Sequence, residues 1–378
     1  MLHEDTLTGS VLRPTFITVD LLALTQNYHA IQEHAGTSKV MFILKANAYG
    51  HGLIRIAKHL ESLGGFYFGV AYLEEGIMLR EAGIKTPILV LGGIIGNQIP
   101  LFLDHDLTIT ASSIEKLQQI EAAAENRGVT AKAHLKIDTG MERIGMHYYS
   151  ARKLLEAAQL CKHVFIEGIF THFANADDVD DTYTKMQVER FEKVLTFYES
   201  ENLERPMIHA NNSGGMLQRD TPSYDMMRIG LLLYGVYPSL HFKDLIKVEP
   251  VMTWKTHVVF FKVIQKDHPV SYGSTWQSDH ETRIITLPIG YGDGYMRAMS
   301  NRAKIIVRGV KYDQVGHICM DQMMINIEEG TAYNGDEVIL IGKQGDEEIT
   351  IEDLASWAQT IPYEILTNIN TRVPRVYI

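Results

Sequence analysis

Eight short apolar segments, separated by helical patterns, constrain this chain more than any other feature of its sequence. They are VMFIL (40–44), FYFGV (66–70), PILVL (87–91), LTITA (107–111), AKAHLKI (131–137), IEGIF (166–170), MIHA (207–210) and MMRIG (226–230). The intervening segments, such as LIRIAKHLESLG and SIEKLQQIEAAAENRG, place apolar residues at i, i+3 and i+4 and end at a glycine. Apolar strands that alternate with amphipathic helices predict parallel β-α-β units.

Eight such units predict an α/β fold, a closed (β/α)8 TIM barrel, over residues 12–245. A doubly wound open sheet is the alternative. No G-x-G-x-x-G motif opens the first helix, and this weakens the alternative.

The C-terminal part, residues 246–378, has a different character. Segments such as WKTHVVFFKVI, RIITLPI and DEVILIG are rich in valine, isoleucine and threonine and are separated by turn residues. They predict a mostly antiparallel, β-rich domain. Residues 1–11 are a candidate for packing on this domain.

Composition excludes several classes of protein. The formal net charge of −11 argues against a nucleic-acid partner, because such proteins carry a basic face. Cys161 and Cys319 are too few for a disulfide framework and fit a reducing compartment. The sequence shows neither a signal-peptide pattern nor an apolar run long enough to cross a membrane. We expect a soluble cytoplasmic protein with no membrane partner.

Polar residues follow five of the predicted strands, whereas the second to fourth strands contribute little. These residues are Lys45 and Tyr49; Lys136, Asp138 and Arg143; Thr171 and His172; His209, Asn211, Asn212 and Ser213; and Arg228 and Gly230. Each residue alone has an ordinary structural explanation, such as a surface lysine or a turn asparagine. Together they converge on the C-terminal ends of the strands, where the active sites of such barrels lie.

The chemistry of this rim can be inferred from its residue types. A lysine at the end of a buried strand is partly desolvated, which lowers its pKa and suits it to act as a base or to form a Schiff base. The Asn-Ser-Gly-Gly loop that begins at Asn212 suits a phosphate, because barrels often bind phosphate after their seventh and eighth strands. A Schiff-base lysine beside a phosphate site indicates pyridoxal 5'-phosphate (PLP).

The chain resembles the PLP-dependent alanine racemases over essentially its whole length. The matching motifs are ILKANAYGHG, HLKIDTGMERIG, EGIFTHFA, HANNSGG, MMRIGLLLYG, PVSYGSTW, LPIGYGDGY, VGHICMDQ and INTRVPR. The resemblance implies an isomerase that interconverts L- and D-alanine and supplies D-alanine for bacterial peptidoglycan. It also implies a homodimer whose active sites are shared between subunits.

The resemblance assigns catalysis to two residues. Lys45 matches the lysine that holds PLP and acts as one base, and Tyr272 matches the opposite base, which the partner subunit supplies. The implied cofactor-binding residues, besides Lys45, are Tyr49, His172, Asn212, Ser213, Arg228, Gly230 and Leu231. Arg143 and Met320 match substrate-binding positions. Lys136 matches a supporting lysine that is often carbamylated in the family, and Tyr291 and Asp321 are the other supporting residues that the resemblance implies. No metal is implied.

Four positions depart from the family pattern. Phe170 replaces a tyrosine of some members, Glu142 a common glycine and His317 a usual arginine. Thr371 stands where several members have a tyrosine that narrows the pocket. A racemase with serine or broader amino-acid specificity is therefore the alternative function.

Two other classes resemble parts of the chain. PLP-dependent decarboxylases of related architecture typically pair the pyridine nitrogen with a carboxylate, and Arg228 and Tyr272 argue against that class. Non-enzymatic PLP-binding proteins resemble the barrel alone, and the β-rich domain argues against them.

Overall fold

The computed structural model describes residues 12–218 and 220–378, which divide into two compact units. One unit contains residues 12–23, Tyr49–His51 and Pro250–Ile378, and the other contains Leu24–Ala48 and Gly52–Glu249. The expected packing of residues 1–11 concerns a segment outside the described residues. The domain boundary between residues 245 and 246 stays a prediction.

Eight parallel strands close into a barrel within the second unit. In chain order, with β1 and β7 described separately, they are β2 (Lys39–Ile43), β3 (Tyr67–Val70), β4 (Ile88–Val90), β5 (Thr108–Ala111), β6 (Ala131–Asp138), β8 (Val164–Phe170), β9 (Met207–His209) and β10 (Met226–Ile229). Pairing of β10 with β2 and of β5 with β6 closes the ring. A short strand, β7 (Met146–His147), pairs with β6. The predicted (β/α)8 barrel and its eight strands are confirmed.

Helices follow most of the barrel strands. They are α1 (Leu21–Ala35), α2 (Lys45–Tyr49), α3 (Leu53–Ser62), α4 (Leu73–Glu81), α5 (Ile99–Asp104), α6 (Ile114–Arg127), α7 (Ala151–Gln159), α8 (Thr182–Ser200) and α9 (Ser213–Leu217). Helix α6 shows why these boundaries fall where they do. The Ser113 hydroxyl accepts the Lys116 N–H at 3.1 Å, and Gly128 ends the helix with a φ of 63°.

The first unit is built on a ten-stranded sheet. Its strands are β1 (Phe16–Val19), β11 (Met252–His257), β12 (Phe260–Ile264), β15 (Thr282–Leu287), β16 (Lys304–Val307), β17 (Val310–Val315), β18 (Met323–Glu328), β19 (Glu337–Gln344), β20 (Glu347–Ile349) and β21 (Arg375–Tyr377). A separate hairpin pairs β13 (Pro269–Val270) with β14 (Trp276–Gln277), and the helices are α10 (Ile351–Ala358) and α11 (Pro362–Asn368). The predicted mostly-β C-terminal region is confirmed, and its sheet is antiparallel except where β1 meets β21.

The start of the described chain belongs to this sheet. Strand β1 runs antiparallel to β11, with Ile17 opposite Trp254, and both of these side chains are fully buried. The expected barrel segment 12–245 therefore begins with residues that pair in the other unit, because the apolar positions of β1 find their partners in β11 and β21.

Short 3₁₀ helices lie between the longer elements, at Gly96–Gln98, Tyr148–Ser150, Leu231–Tyr234, Leu240–Phe242, Tyr272–Ser274, Tyr291–Asp293 and Arg297–Met299. None of the helices in the described ranges combines the length and the apolar character that a membrane crossing requires.

Candidate active site

Lys45 begins an unusual turn at the C-terminal end of β2. Ala46, Asn47 and Ala48 have φ between 53° and 57° and ψ between 44° and 52°, and Tyr49 continues with a φ of 50°. The segment is thus a left-handed helical turn, which costs L-residues about 1–2 kcal/mol each. Such strain persists only where the surroundings hold it, and it clusters at functional sites.

Hydrogen bonds within the barrel unit hold this turn. The Ala48 N–H donates to the Leu44 carbonyl at 2.8 Å, and the Leu53 N–H donates to the Asn47 side chain at 2.8 Å. One carboxylate oxygen of Glu75 accepts the Ala46 N–H at 2.6 Å, and the other accepts the Ala71 N–H at 2.8 Å. Glu75 therefore ties the loop after β2 to the loop after β3.

The electrostatics around Lys45 favour its neutral amine. Desolvation lowers the pKa of Lys45, and the nearby Arg143 lowers it further, while Glu75 opposes them. A lysine with a depressed pKa is a better base and nucleophile near neutral pH.

Arg228, on β10, is a buried cation at the centre of the rim. Its Nη2 donates to the carbonyls of Thr171 and Ala210 at 2.8 and 2.7 Å and lies 3.2 Å from Nδ1 of His172. Burial lowers the pKa of Arg228, but a guanidinium stays protonated near neutral pH. Because a guanidinium only donates, Nδ1 of His172 accepts and the His172 proton resides on Nε2.

The imidazole of His172 is neutral. Desolvation lowers its pKa well below the usual value, and Arg228 adds to the effect. The positive charge at this point of the rim is therefore carried by Arg228 and not by His172.

Lys136, on β6, is buried and lies close to the cations Arg228 and Arg143 and to the Asp138 carboxylate. Desolvation and the charge of Arg228 lower the pKa of Lys136 well below its usual value. Within residues 12–218 and 220–378 its Nζ has no hydrogen-bond partner and lies 4.6 Å from the centre of the Phe170 ring. A buried neutral amine of this kind is available for chemistry, including reaction with carbon dioxide.

The loops after β9 and β10 meet at Ser213. The Gly230 N–H donates to the Ser213 hydroxyl at 3.1 Å, and the 3₁₀ helix that begins at Leu231 follows directly. The Asn212 side chain caps α9 by accepting the Gly215 N–H at 2.9 Å. A methyl group at Gly214 would lie 2.6 Å from the Ala176 carbonyl oxygen, so only glycine fits there. This rigid arrangement leaves a hydroxyl and the starts of two helical turns at one point of the rim.

The Asp138 carboxylate shapes the loop that carries Arg143. It accepts the N–H groups of Gly140, Glu142 and Arg143 at 2.8, 3.2 and 3.2 Å. Glu142, which departs from the family's glycine, adopts a φ of 54° within this loop. The Arg143 side chain itself is exposed.

Tyr272 lies in the first unit and is largely in solvent. Its side chain is 74% exposed, directly after Ser271, whose φ is 69°. The Ser271 hydroxyl anchors this segment by donating to the His317 carbonyl at 2.6 Å. An exposed tyrosine on a constrained turn, rather than one packed into its own unit, is available to another surface.

The other predicted residues of the first unit differ in their surroundings. Met320 and Tyr291 are exposed, and the Asp321 carboxylate accepts a hydrogen bond from Arg372 at 2.6 Å. Tyr49 is buried beside Tyr363, with ring centres 6.1 Å apart, and burial raises the pKa of its hydroxyl.

Sequence reasoning missed Glu75 and three polar residues of the barrel strands, His134, Glu167 and Tyr67, although it named Lys136 and His209. Glu75 follows β3, one of the strands expected to contribute little. The one available signal was the glutamate three residues after Tyr72, a spacing typical of a helix start, which accounts for a cap but not for a bond to Ala46.

Two family models match the chain. The alanine racemase N-terminal domain matches residues 19–238, and the alanine racemase C-terminal domain matches residues 251–377.

Individual relatives and solved structures agree with these models. The alanine racemase of Carboxydothermus hydrogenoformans is 41% identical over 97% of this chain and 100% of its own length. That of Halothermothrix orenii is 40% identical over 97% of each chain. The crystal structure of alanine racemase from Streptomyces lavendulae superimposes with a TM-score of 0.93 at 33% identity, covering 98% of both chains. The Bacillus anthracis enzyme with bound L-Ala-P has a TM-score of 0.92 at 33% identity, covering 98% of this chain and 96% of that one. The chain therefore belongs to the alanine racemase family.

Proposed function

We propose that this protein interconverts L- and D-alanine with PLP as its cofactor, using Lys45 and Tyr272 as two bases. The observation that carries the proposal is the placement of Lys45. It is a lysine with a lowered pKa on a strained turn, at the same barrel rim as the buried cation Arg228. Membership of the family supports the choice of alanine, because relatives of similar length carry that name.

The residues of the rim fit PLP. The Lys45 amine suits a carbonyl group, and the Ser213 hydroxyl with the starts of two helical turns suits a phosphate. Arg228 suits the ring nitrogen, because it is held by carbonyl groups and can only donate. We assign Tyr49, His172, Asn212, Gly230 and Leu231 to the same site, with Asn212 acting through the turn that it caps.

Lys45 would hold PLP until the amine of the amino acid replaces the lysine amine on the cofactor, and this exchange would free Lys45 to act as a base. The cofactor would supply the electron withdrawal that acidifies the α-proton. Racemisation then needs one group to remove this proton and a second group to return a proton to the opposite face. The lowered pKa of Lys45 prepares its amine for one of these roles. Because Arg228 retains its own proton, it would leave the ring nitrogen unprotonated, and we infer that this limits side reactions.

The second base is Tyr272 of the partner subunit. Its exposure supports this assignment, because a tyrosine that serves a neighbouring copy is not packed within its own chain. The Nε2 proton of His172 would donate to that tyrosine, and the nearby Arg228 charge would favour its deprotonated form. This arrangement requires a homodimer with shared sites, in which Met320 contributes to carboxylate binding.

Four further residues belong to the proposed site, and they are Arg143, Lys136, Tyr291 and Asp321. Arg143 would meet the substrate carboxylate. The neutral, buried amine of Lys136 is suited to carbamylation, which would place a negative charge between Arg143 and Arg228. Tyr291 and Asp321 would line the approach to the site. No metal has a role in this scheme.

The direct test incubates the purified protein and PLP with single L-amino acids and measures the D-product by chiral chromatography. Alanine should racemise, and borohydride reduction should fix PLP to Lys45, as located by mass spectrometry. Failure to form D-alanine would refute the proposal. Serine is the second candidate substrate, because the small, exposed Thr371 stands where several relatives have a tyrosine. We propose a cytoplasmic role in supplying D-alanine for bacterial peptidoglycan.

A further inference from the structure

A series of hydrogen-bonded polar side chains, the polar series, extends from Arg228 through the interior of the barrel. Arg228 lies on β10, His209 at the end of β9, His134 in the middle of β6 and Glu167 at the midpoint of β8. Both histidine residues are 0% exposed. The interiors of such barrels are usually filled by branched apolar side chains, so a polar series at this position requires a physical reason.

The hydrogen bonds along the polar series all run in one direction, with each donor on the Arg228 side and each acceptor on the Glu167 side. Nη1 of Arg228 lies 2.9 Å from Nδ1 of His209, Nε2 of His209 lies 2.8 Å from Nδ1 of His134, and Nε2 of His134 lies 3.3 Å from the Glu167 carboxylate. Arginine only donates and an ionised carboxylate only accepts. Each imidazole therefore accepts at Nδ1 and donates from Nε2. Desolvation lowers the pKa of both histidines, and this is consistent with neutral rings.

Hydrogen bonds at the Glu167 end of the polar series stabilise the ionised form of its carboxylate. The Tyr67 hydroxyl donates to the carboxylate at 2.7 Å and lies 2.7 Å from the Thr108 hydroxyl. Desolvation alone would raise the pKa of Glu167, but the hydrogen bonds from His134 and Tyr67 hold it below its usual value. The polar series thus ends on the negative charge of Glu167, near the N-terminal ends of the strands.

Two neighbours on β8 fit the imidazoles closely. A methyl group at Gly168 would lie 2.6 Å from Nδ1 of His134, so this position admits the ring only because it is glycine. The Phe170 ring stacks on His209 with ring centres 4.7 Å apart and planes inclined by 7°. The tautomers and orientations of both histidines are therefore held by packing as well as by hydrogen bonds.

We propose that Glu167, His134 and His209 form a relay that fixes the orientation of Arg228 toward the cofactor ring from the opposite end of the barrel. Loss of the Glu167 acceptor would free His134 to carry its proton on Nδ1. His209 would then accept at Nε2 and present an N–H to Arg228, which can only donate, and the guanidinium would be displaced. Glu167 is in this sense a positioning residue. The inference rests on the proposed function, because it takes Arg228 to face the ring nitrogen.

The test compares Glu167→Met with Glu121→Met. Glu121 is a matched control, because its carboxylate, on α6, also lies close to a histidine, 3.1 Å from Nδ1 of His163 in the loop before β8, but that pair is not part of the relay. In Glu167→Met we expect kcat for alanine to fall about 10-fold, the order seen for outer hydrogen-bond partners elsewhere, with less change in KM. Glu167→Gln retains an acceptor oxygen and should recover most of the loss. Glu121→Met should have the same kcat and KM for alanine as the parent protein.

A second measurement does not depend on turnover. Nitrogen NMR of isotope-labelled histidine, with and without PLP, should show protons on Nε2 of His134 and His209 in the parent protein and altered tautomers in Glu167→Met. Unchanged histidine signals, or an unchanged kcat in an active enzyme, would overturn the relay. If the parent protein proves inactive on alanine while the tautomers still respond, the proposed function fails and the relay stands. If Glu167→Met does not fold, Gly168→Ala, which displaces His134 directly, takes its place with the same expected outcomes.

Discussion

The Glu75 carboxylate accepts the amide N–H of Ala46 at 2.6 Å, one residue beyond Lys45. This bond links a strained left-handed turn to the loop after β3 and places a negative charge near the lysine amine. Glu75 therefore has both a conformational and an electrostatic effect on the residue proposed to hold the cofactor.

Glu75→Gln should lower both the stability of the protein and the pKa of Lys45. Weakening charge-assisted bonds to backbone N–H groups should cost about 1–2 kcal/mol of unfolding free energy, measured by urea denaturation. The pKa of Lys45 should fall because its neighbouring negative charge is lost, as the pH dependence of Lys45 acylation would show. Glu74→Gln, an exposed neighbour on α4, is the control, and an equal effect in that variant would count against the assignment.

Lys136→Met should stabilise the cofactor-free protein in buffer without carbon dioxide. The folded state lowers the pKa of Lys136, so the unfolded chain binds more protons and this residue costs stability that is regained as pH rises toward its usual pKa. We expect a gain of about 1–3 kcal/mol near pH 7 that shrinks at higher pH.

Urea unfolding at several pH values measures the difference between Lys136→Met and the parent protein. Lys132→Met is the control, because Lys132 lies on the same strand but pairs with Asp106 at 2.8 Å in a solvent-exposed position. A pH-independent difference for Lys136→Met would contradict the prediction.

Tyr272→Phe should reduce kcat for alanine by about 100-fold or more, the range of general acid–base catalysis, while PLP still attaches to Lys45. Because Tyr272 is 74% exposed, loss of its hydroxyl should leave unfolding free energy nearly unchanged. Tyr149→Phe, at another exposed tyrosine, provides the comparison. Full activity in Tyr272→Phe would rule out the two-base scheme.

Asp293→Asn should strongly destabilise the first unit. The fully buried Asp293 carboxylate accepts hydrogen bonds from Arg13 and Arg372, both at 2.6 Å. Its neutralisation removes the charge partner of Arg13 and one of the two charge partners of Arg372, at a cost of about 2 kcal/mol. Asp321→Asn removes an exposed partner of Arg372 and should cost less than about 1 kcal/mol, as thermal unfolding of both variants would show.

Thr371→Tyr should shift substrate preference toward alanine. A larger side chain at this position should narrow the site and lower kcat/KM for serine about 10-fold relative to alanine. Chiral chromatography of both reactions measures the ratio, with Thr367→Tyr as a control for the added ring. An unchanged ratio would show that Thr371 does not set specificity.

The barrel was predictable because its information is local. Alternation of apolar strands and amphipathic helices specifies parallel units, and the observed β2, β6 and β8 match their predicted segments to within two residues. Lys45 alone could have been an ordinary surface lysine, and it was recognisable because polar residues follow four other strands and because the ILKANAYGHG motif matches the family. Strand β1 was not recognised as part of the other sheet, because its pairing with β11 joins segments more than two hundred residues apart.

The sequence by itself determined the barrel, the rim position of Lys45 and the family. Only the tertiary structure decided that Glu75 holds the turn after Lys45, and that Glu167 connects through His134 and His209 to Arg228. The physical reason is that strand formation and amphipathic patterning depend on neighbours along the chain. The direction of a hydrogen bond depends instead on which donor and acceptor the closed barrel brings within about 3 Å of each other.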